Sequence, residues 1–494
     1  MNTGYTLDQT KAFIKLINTK DNRIFLTGGA GTGKSFLLRE YLRQAKHNDL
    51  EVAVLAPTGI AARNIDGVTC HRFFGLGISP QNPDEPLAIP DELKIVDTLI
   101  IDEISMVRCD IFDAIMDCVE RTEEVLNRKI KVILCGDFFQ LPPVIMPRDR
   151  ASLIRIYGTQ NIGKLFAFQS KYWQGFKTIV LEEIVRQSNT DFAVALNKVR
   201  FGDKLGLEWI EEHASKEMVE ATLLAPGYKI VDRENDHRLA ELSTQQLGPY
   251  TLTKTGYITT DDIRFPESLT LKIGCQVMVL MNEPVENPRY YNGSTGIVES
   301  VDIEDGIEVI NVRIKHNNLL VPIYPVTQNV YDYDVINKNG KNKLYLEEIG
   351  RYTQYPLRPF YALTIHKSQG QSLAAMQLEP GNWMSGMLYT ALSRVTDVEN
   401  LYLRKSLRDI TINSDAEVKK FYSDPDNYQY DWTDCYADTS VDVSRPSYGY
   451  MTYSTTVIQK MFLKKLPSLP SLYGVSEDEY NELADMYENM FKYV

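Results

Sequence analysis

Residues 28–35 of this chain have the sequence Gly28-Gly29-Ala30-Gly31-Thr32-Gly33-Lys34-Ser35. The segment matches the pattern G-x-x-x-x-G-K-[ST] and directly follows the apolar run Ile24-Phe25-Leu26, where a buried strand is expected to lead into a helix. Glycines let successive backbone N–H groups converge on phosphate oxygens, and the helix N-terminus adds partial positive charge. The segment predicts a loop that binds a nucleoside triphosphate, with Lys34 on the β- and γ-phosphates and the Ser35 hydroxyl on Mg²⁺.

A second segment supplies the carboxylates that such a loop requires. Residues 97–103 are Asp-Thr-Leu-Ile-Ile-Asp-Glu, a short apolar strand that ends in two adjacent acidic residues. Parallel α/β sheets place their chemistry at the carboxyl ends of such strands. We expect Asp102 to hold Mg²⁺ and Glu103 to polarise the attacking water. Because neighbouring strand residues point to opposite faces, the pair can act together only if the backbone turns here.

The composition is typical of a globular protein with several domains. Of the 494 residues, 44% are hydrophobic and 24% are charged, and no run approaches the ~18 apolar residues of a transmembrane helix. The N-terminus resembles neither a signal nor a transit peptide, and the six cysteines lack C-x-x-C spacing. We therefore expect a cytoplasmic protein of a bacterium or a phage-infected cell, with reduced thiols, no zinc and no membrane partner.

The net charge does not decide whether the protein binds nucleic acid. It is −13 over the whole chain, and residues 411–494 carry fourteen acidic and seven basic side chains. A local basic groove can bind phosphates whatever the overall sign, so the charge neither supports nor excludes a nucleic-acid partner.

Strand and helix patterns alternate through most of the chain, which predicts an α/β fold with parallel, helix-covered sheets. The strands of the first part are predicted at residues 51–56, 98–102 and 131–135. A second alternating region starts near residue 178 and resumes at residue 359 after an interruption. The interruption, at about 264–350, has short strands and Asn-Gly turns, which predict an inserted small β-barrel. We expect the tail after residue 411 to be a solvated or partner-docking extension with one helix at 477–491.

Further segments occur in a characteristic order along the chain. They are Gln9, Ala56 to Ala62, Gly67 to His71, the Asp-Glu-Ile-Ser-Met-Val element at 102–107, Gly136 to Pro143, Glu183 to Gln187, Tyr291-Asn292-Gly293, Leu363 to Ser372 and Leu388 to Val395. Over roughly residues 7–402 this set resembles the petite-integration-frequency (PIF) family of superfamily 1 DNA helicases, which is related to RecD- and Dda-type helicases.

The resemblance implies two RecA-like motor domains with ATP in the cleft between them. Residues 1–177 would form the first motor domain, with a small insertion at about 73–95, and residues 178–263 and 351–410 the second. Residues 264–350 would form the inserted, Src-homology-like barrel, and residues 411–494 a C-terminal extension. The implied activity is unwinding of DNA duplexes, forked ones included, which requires ATP and Mg²⁺. The enzyme would move 5′ to 3′ on single-stranded DNA. The implied processes are replication, repair, recombination or telomere maintenance. A replication or repair protein is expected to bind the extension.

The resemblance also implies roles for individual residues. Gln9 would contact adenine, Gln140 would couple the γ-phosphate to DNA, and Arg186 and Arg394 would act as arginine fingers. Gly370 and Gln371 would link the nucleotide to the second motor domain. The residues expected towards DNA are Thr58, His71, His366 and Lys367.

Two other functions are compatible with the same residues. One is a DNA-stimulated ATPase that remodels protein–DNA complexes with little unwinding. The other is a recombination or replication adaptor that uses ATP as a conformational switch. An assay with a forked duplex separates the first alternative from a helicase, and rapid ATP turnover on single-stranded DNA would exclude the second.

Overall fold

The computed structural model describes residues 6–424 with the exception of 78, 159–164, 188, 219–220, 260–261, 264, 286–287, 291–293, 316, 339–340 and 382–383. Several predicted features therefore lie outside the described residues. They are the Tyr291-Asn292-Gly293 segment, the Asn339-Gly340 turn, the helix at 477–491 and most of the C-terminal extension.

The part of the chain up to Leu181, here called the first half, forms a six-stranded, wholly parallel sheet with the order β3-β2-β4-β5-β1-β6. Its strands are β1 (Arg23–Gly28), β2 (Val52–Ala56), β3 (Val68–Thr69), β4 (Thr98–Ile101), β5 (Lys131–Gly136) and β6 (Lys177–Leu181). Its helices are α1 (Leu7–Asn18), α2 (Lys34–His47), α3 (Gly59–Asn64), α4 (Cys70–Phe74), α5 (Cys109–Leu126) and α6 (Arg150–Tyr157). The predicted α/β alternation is confirmed.

The strands of this sheet are apolar throughout because both faces are covered. On β1, Ile24 and Leu26 pack in the cluster under α1 and α2, whereas Phe25 packs in the larger cluster with α5. Alternate side chains thus enter two separate cores, as the period of a strand requires.

The strand β6 corrects the predicted division between the motor domains. It pairs in parallel with β1, so it belongs to the first sheet, and a boundary between residues 177 and 178 would pass through it. The apolar run was recognised, but its neighbour in the sheet depends on packing and not on the local sequence.

The part of the chain from Thr190 onward, here called the second half, contains a four-stranded parallel sheet with the order β18-β7-β19-β20. Its strands are β7 (Thr222–Ala225), β18 (Ala362–Thr364), β19 (Met376–Leu378) and β20 (Leu401–Leu403), and its helices are α7 (Thr190–Phe201), α8 (Lys204–His213), α9 (Tyr228–Ala240) and α10 (Met387–Leu392). None of the helices in the described ranges combines the length and hydropathy needed to cross a bilayer.

An antiparallel region separates β7 from β18. Its strands are β8 (Gln246–Thr251), β9 (Thr253–Gly256), β10 (Ser268–Lys272), β11 (Gln276–Val279), β12 (Thr295–Glu304), β13 (Ile307–Ile314), β14 (Leu320–Ile323), β15 (Val326–Lys338), β16 (Lys341–Gln354) and β17 (Leu357–Pro359). They form sheets of two, five and three strands. Since β8 and β9 pair with β10 and β16, the antiparallel part already begins near residue 246 and not at 264. A closed barrel here stays a prediction.

The long hairpin of β15 and β16 contacts the first half of the molecule. The Tyr333 hydroxyl accepts a hydrogen bond from the Val54 N–H (3.3 Å), at a part of β2 that β3 leaves unpaired. Lys343 forms ion pairs with Asp49 and Glu51. Side-chain contacts therefore connect the antiparallel region to the first sheet, in addition to the covalent connection along the backbone.

Residues 411–424 correct the prediction of a solvated tail. They contain the helix α11 (Ala416–Ser423), on which Val418, Phe421 and Tyr422 are buried. Apolar side chains at positions i, i+3 and i+4 make one helix face apolar, and this face packs into the largest hydrophobic cluster.

Candidate nucleotide and DNA site

The predicted phosphate loop joins β1 to α2. Gly31 and Gly33 have φ angles of 84° and 91°, in the left-handed region that favours glycine. A Cβ atom on Gly33 would lie 2.3 Å from Nε2 of Gln9, so a larger residue would also clash. The loop conformation, and with it the start of α2 at Lys34, therefore depends on the glycines of the motif.

Lys34 and Gln9 both contact this loop. The Lys34 Nζ donates hydrogen bonds to the Gly28 and Gly29 carbonyls at 2.9 and 3.0 Å. Gln9 is buried, and its Nε2 donates to the Thr32 carbonyl at 3.0 Å while its Oε1 accepts from the Thr6 N–H. Gln9 thus supports the loop from α1, and its contact with adenine stays a prediction.

The two carboxylates lie where the backbone turns after β4. Glu103 has a φ of 51°, a left-handed conformation that costs a residue with a side chain about 1–2 kcal/mol. Its N–H donates to Oδ1 of Asp102 at 2.9 Å. The turn expected between Asp102 and Glu103 is present, so the two side chains are not forced to opposite faces of a strand.

Burial raises the pKa of both carboxylates, and the charge of Asp102 adds to the rise at Glu103. Burial, followed by the charge of Asp102, raises the pKa of Glu103 to about 7. Lys34, Arg394 and a hydrogen bond from Gln369 oppose this rise. Burial also raises the pKa of Asp102, against a hydrogen bond from the Glu103 N–H and the charges of Lys34 and Arg39. A carboxylate with a pKa near neutrality is suited to accept a proton from water.

Two arginines, the buried Arg394 and the partly buried Arg186, lie near Glu103. Arg394 is 1% exposed, and burial followed by the charge of Arg186 lowers its pKa to about 9. Burial also lowers the pKa of Arg186, which the charge of Glu103 opposes. Within the described ranges neither guanidinium forms a salt bridge with a carboxylate; Arg394 donates to the Thr390 and Gln371 carbonyls, and Arg186 to the Ser393 carbonyl. Two adjacent cations that are shielded from solvent and form no salt bridge in these ranges favour binding of an anion.

The predicted domain division assigned Arg186 to the second motor domain, and the structure differs. It lies in the segment that leaves β6, and its N–H donates to the Gly31 carbonyl at 3.2 Å. Arg186 therefore comes from the connection between the two halves, whereas Arg394 follows α10 in the second half.

The second half also contacts the phosphate loop directly. Tyr389 of α10 accepts a hydrogen bond from the Ala30 N–H through its hydroxyl, at 2.7 Å. Gln369 donates to Oε2 of Glu103 at 3.0 Å. Both contacts join residues far apart in sequence, and both place second-half side chains on first-half residues of the predicted site.

Gln140 follows β5 in a loop that starts at Asp137. Asp137 and Arg200 form a buried ion pair with oxygen–nitrogen distances of 3.0 and 3.1 Å. Gln140 is 5% exposed, and its N–H donates to the Asp137 carbonyl. Since Arg200 lies on α7, this loop is anchored to the second half of the protein.

The residues expected towards DNA follow strand ends in both halves. Thr58 follows β2 and its hydroxyl accepts from the Ala61 N–H at the start of α3, while His71 lies on α4 after β3. His366 and Lys367 follow β18, and the Lys367 ammonium lies 5.3 Å from the ring centre of the half-exposed Tyr228. Gly370 has a φ of 75°, and the Gln371 carbonyl accepts from Arg394. DNA contact by these residues stays a prediction.

Several residues of this site were not predicted from the sequence. Gln369 and Tyr389 lie inside the motif segments, but the resemblance implies no role for either. Arg200 and Tyr422 were not selected, because a single arginine or tyrosine in a helix carries no local pattern. Their partners, Asp137 and Thr27, lie 63 and 395 positions away in the sequence.

Several known proteins with similar sequences and structures are helicases. The model of the PIF1-like helicase family matches residues 5–204. The ATP-dependent DNA helicase Pif1 of Campylobacter jejuni is 32% identical over 77% of this chain and 88% of its own length. The crystal structure of Bacteroides sp. Pif1 in complex with ADP-AlF4 has a TM-score of 0.70 at 28% identity, covering 84% of this chain and 96% of that one.

A second Bacteroides Pif1 structure, in complex with ADP-AlF3 and single-stranded DNA, has a TM-score of 0.60 at 28% identity, covering 87% of this chain and 99% of that one. The two parallel sheets, the phosphate loop and the paired carboxylates agree with this likeness. The chain belongs to the PIF1-like helicase family.

Proposed function

We propose that this protein is an ATP-dependent DNA helicase that moves 5′ to 3′ on single-stranded DNA and separates duplexes, forked ones included. The observation that carries the proposal is the pair of arginines beside Glu103, the buried Arg394 and the partly buried Arg186. A cleft that collects cations from both halves around a phosphate loop can change shape when the charge of its nucleotide changes.

The first half supplies the groups that bind ATP and activate water. In this proposal Lys34 binds the β- and γ-phosphates, and the Ser35 hydroxyl and Asp102 carboxylate are oxygen donors of the kind that Mg²⁺ prefers. Bound Mg²⁺ would neutralise charge on the phosphates. Glu103 accepts the proton of the attacking water, and Gln369 holds its carboxylate in position.

The arginines from the connection and the second half complete the site. In the transition state, charge spreads over the transferred phosphoryl group, and a guanidinium stabilises it. Because Arg394 and Gln371 are hydrogen-bonded, the arginine that meets the phosphate is coupled to the segment that also carries His366 and Lys367. This connection supports a link between hydrolysis and the grip on DNA.

The proposed nucleic-acid partner is single-stranded DNA and its junction with a duplex. The names of the relatives and the bound single-stranded DNA of the Bacteroides protein support it. We also propose that the acidic extension at 411–494 recruits a replication or repair protein, since its charge suits a basic partner surface better than DNA.

The direction of movement is tested with two partial duplexes, one carrying a 5′ single-stranded tail and the other a 3′ tail. We expect unwinding of the 5′-tailed substrate in the presence of ATP and Mg²⁺, and little or none of the 3′-tailed one. The basis is the resemblance to the PIF, RecD and Dda helicases. Preference for the 3′ tail would refute the direction, and DNA-stimulated hydrolysis without unwinding would favour the remodelling ATPase.

The pH dependence of hydrolysis tests the role of Glu103. With a pKa of about 7, Glu103 loses its ionised form as the pH falls, so kcat/KM for ATP should decrease as the pH drops through about 7. Gln369→Leu removes a hydrogen bond that lowers this pKa, so the acid limb should move to higher pH. ATP itself titrates in the same way with the unmodified protein and with the variant. The difference between the two pH profiles therefore reflects a group of the enzyme and not ATP.

The exposed Gln245 provides the matched control, because Gln245→Leu makes the same chemical change away from the cleft. Its pH profile should coincide with that of the unmodified protein. An unshifted acid limb in Gln369→Leu would show that this amide does not act on Glu103.

A further inference from the structure

The C-terminal helix α11 reaches the strand and the loop that flank the nucleotide site. Tyr422 is buried, and its hydroxyl lies 2.8 Å from the Thr27 Oγ1 and accepts a hydrogen bond from the Phe138 N–H at 3.3 Å. Thr27 directly precedes the phosphate loop. Phe138 lies in the loop that carries Gln140. One hydroxyl thus joins the two segments that are predicted to bind and to sense the phosphates.

Aromatic contacts fix the ring of Tyr422 in this place. It stacks on Phe139 with ring centres 5.0 Å apart and an interplanar angle of 18°. The Arg200 guanidinium lies 5.4 Å from the Tyr422 ring and 4.7 Å from the Phe139 ring. Because Arg200 also pairs with Asp137, the beginning of the loop and its aromatic residues are held by the same cluster.

The opposite side of this loop is in contact with the second half. A Cβ atom on Gly386 would lie 2.2 Å from the Gln140 carbonyl oxygen and 2.4 Å from that of Phe139, so the two backbones are closely packed. The Gly386 N–H donates to the Asn413 carbonyl at 3.2 Å. The segment that enters α11 is therefore bonded to the segment that enters α10, and the latter contacts residues 139 and 140.

We propose that Tyr422 is a positioning residue for ATP hydrolysis, which acts by holding the 137–140 loop, and with it Gln140, against the phosphate-loop strand. This inference rests on the proposed function. α11 follows the last strand of the second sheet, so a rotation of that sheet would be transmitted through α11 to the loop. The competing interpretation is that Tyr422 only fills the hydrophobic core.

The test is Tyr422→Phe in the full chain, which removes the hydroxyl and keeps the ring. We expect kcat of the DNA-stimulated ATPase to fall about fivefold, which corresponds to about 1 kcal/mol of activation free energy. The KM for ATP should stay within about twofold of the original value, since the binding groups remain in place. An unchanged kcat would overturn the inference.

Phe421→Leu is the matched control on the same helix. Phe421 stacks on Phe168 with ring centres 4.5 Å apart and also packs against Phe138 and Trp173, so this variant removes ring packing on α11 and keeps the Tyr422 hydroxyl. Its replacement should lower the melting temperature and leave kcat unchanged well below that temperature. If Phe421→Leu and Tyr422→Phe reduced kcat equally, packing and not positioning would be the role of α11.

A double-mutant cycle with Thr27→Val gives a second readout. If Tyr422 acts through its hydroxyl bond to Thr27, the double variant should lose little more kcat than the single variants. Fully additive losses would contradict the inference. Should the unmodified protein lack DNA-stimulated hydrolysis, the proposed function itself would fail, which is a distinguishable result.

Discussion

Replacing Glu103 by glutamine is expected to reduce ATP hydrolysis by about 10²–10⁴-fold, since general-base catalysis contributes on this scale. Glutamine preserves the shape of the side chain but cannot accept a proton from water. Lys34 and the phosphate loop are untouched, so ATP should still bind. The measurements are single-turnover hydrolysis and equilibrium binding of a fluorescent ATP analogue, both with single-stranded DNA present.

Glu124→Gln on α5 is the matched control, because Glu124 is an exposed glutamate on the same half of the protein. It should hydrolyse ATP at the original rate. Hydrolysis at the original rate by Glu103→Gln would assign the role of base to another residue. Loss of ATP binding in that variant would instead show that Glu103 shapes the binding site.

Replacing Arg394 by alanine is expected to lower kcat by about 10³–10⁵-fold, the range found for arginine fingers. The effect on KM for ATP should be much smaller, because the guanidinium acts on charge that develops in the transition state. Arg394→Lys should be nearly as inactive, since a compact ammonium cannot reproduce the planar donors that contact the Thr390 and Gln371 carbonyls.

A melting curve accompanies both variants, because Arg394 is buried and its removal can also destabilise the second half. Loss of kcat at a temperature well below melting identifies the catalytic effect. If the variants lost DNA affinity and kept kcat at saturating DNA, Arg394 would be assigned to the DNA-binding surface of the protein.

The strands and the phosphate loop were predictable because their causes are local. The run Ile24 to Leu26 is apolar on both faces, and glycines at fixed spacing allow the turn into α2. The order of strands was not predictable in the same way. β6 has the same apolar pattern whether it lies beside β1 or starts another sheet, so the division at residue 177 could not be placed correctly.

The packing of helix α11 was also not predictable from the local sequence. Its apolar positions are visible in the sequence, but they lie at the start of a polar, acidic tail, and composition alone favoured a solvated segment. The hydrophobic cluster that receives Phe421 and Tyr422 exists only after the first sheet and α5 have packed together.

The sequence by itself determined the α/β class, the phosphate loop, the carboxylate pair and the family. The loop and the carboxylate pair depend on residues within a few positions of one another, and the class and the family on the order of such local segments along the chain. Only the tertiary structure decided which distant residues meet at the site. Gln369 reaches Glu103 across 266 positions and Tyr422 reaches Thr27 across 395, and such pairs depend on the simultaneous packing of both halves, which no local pattern records.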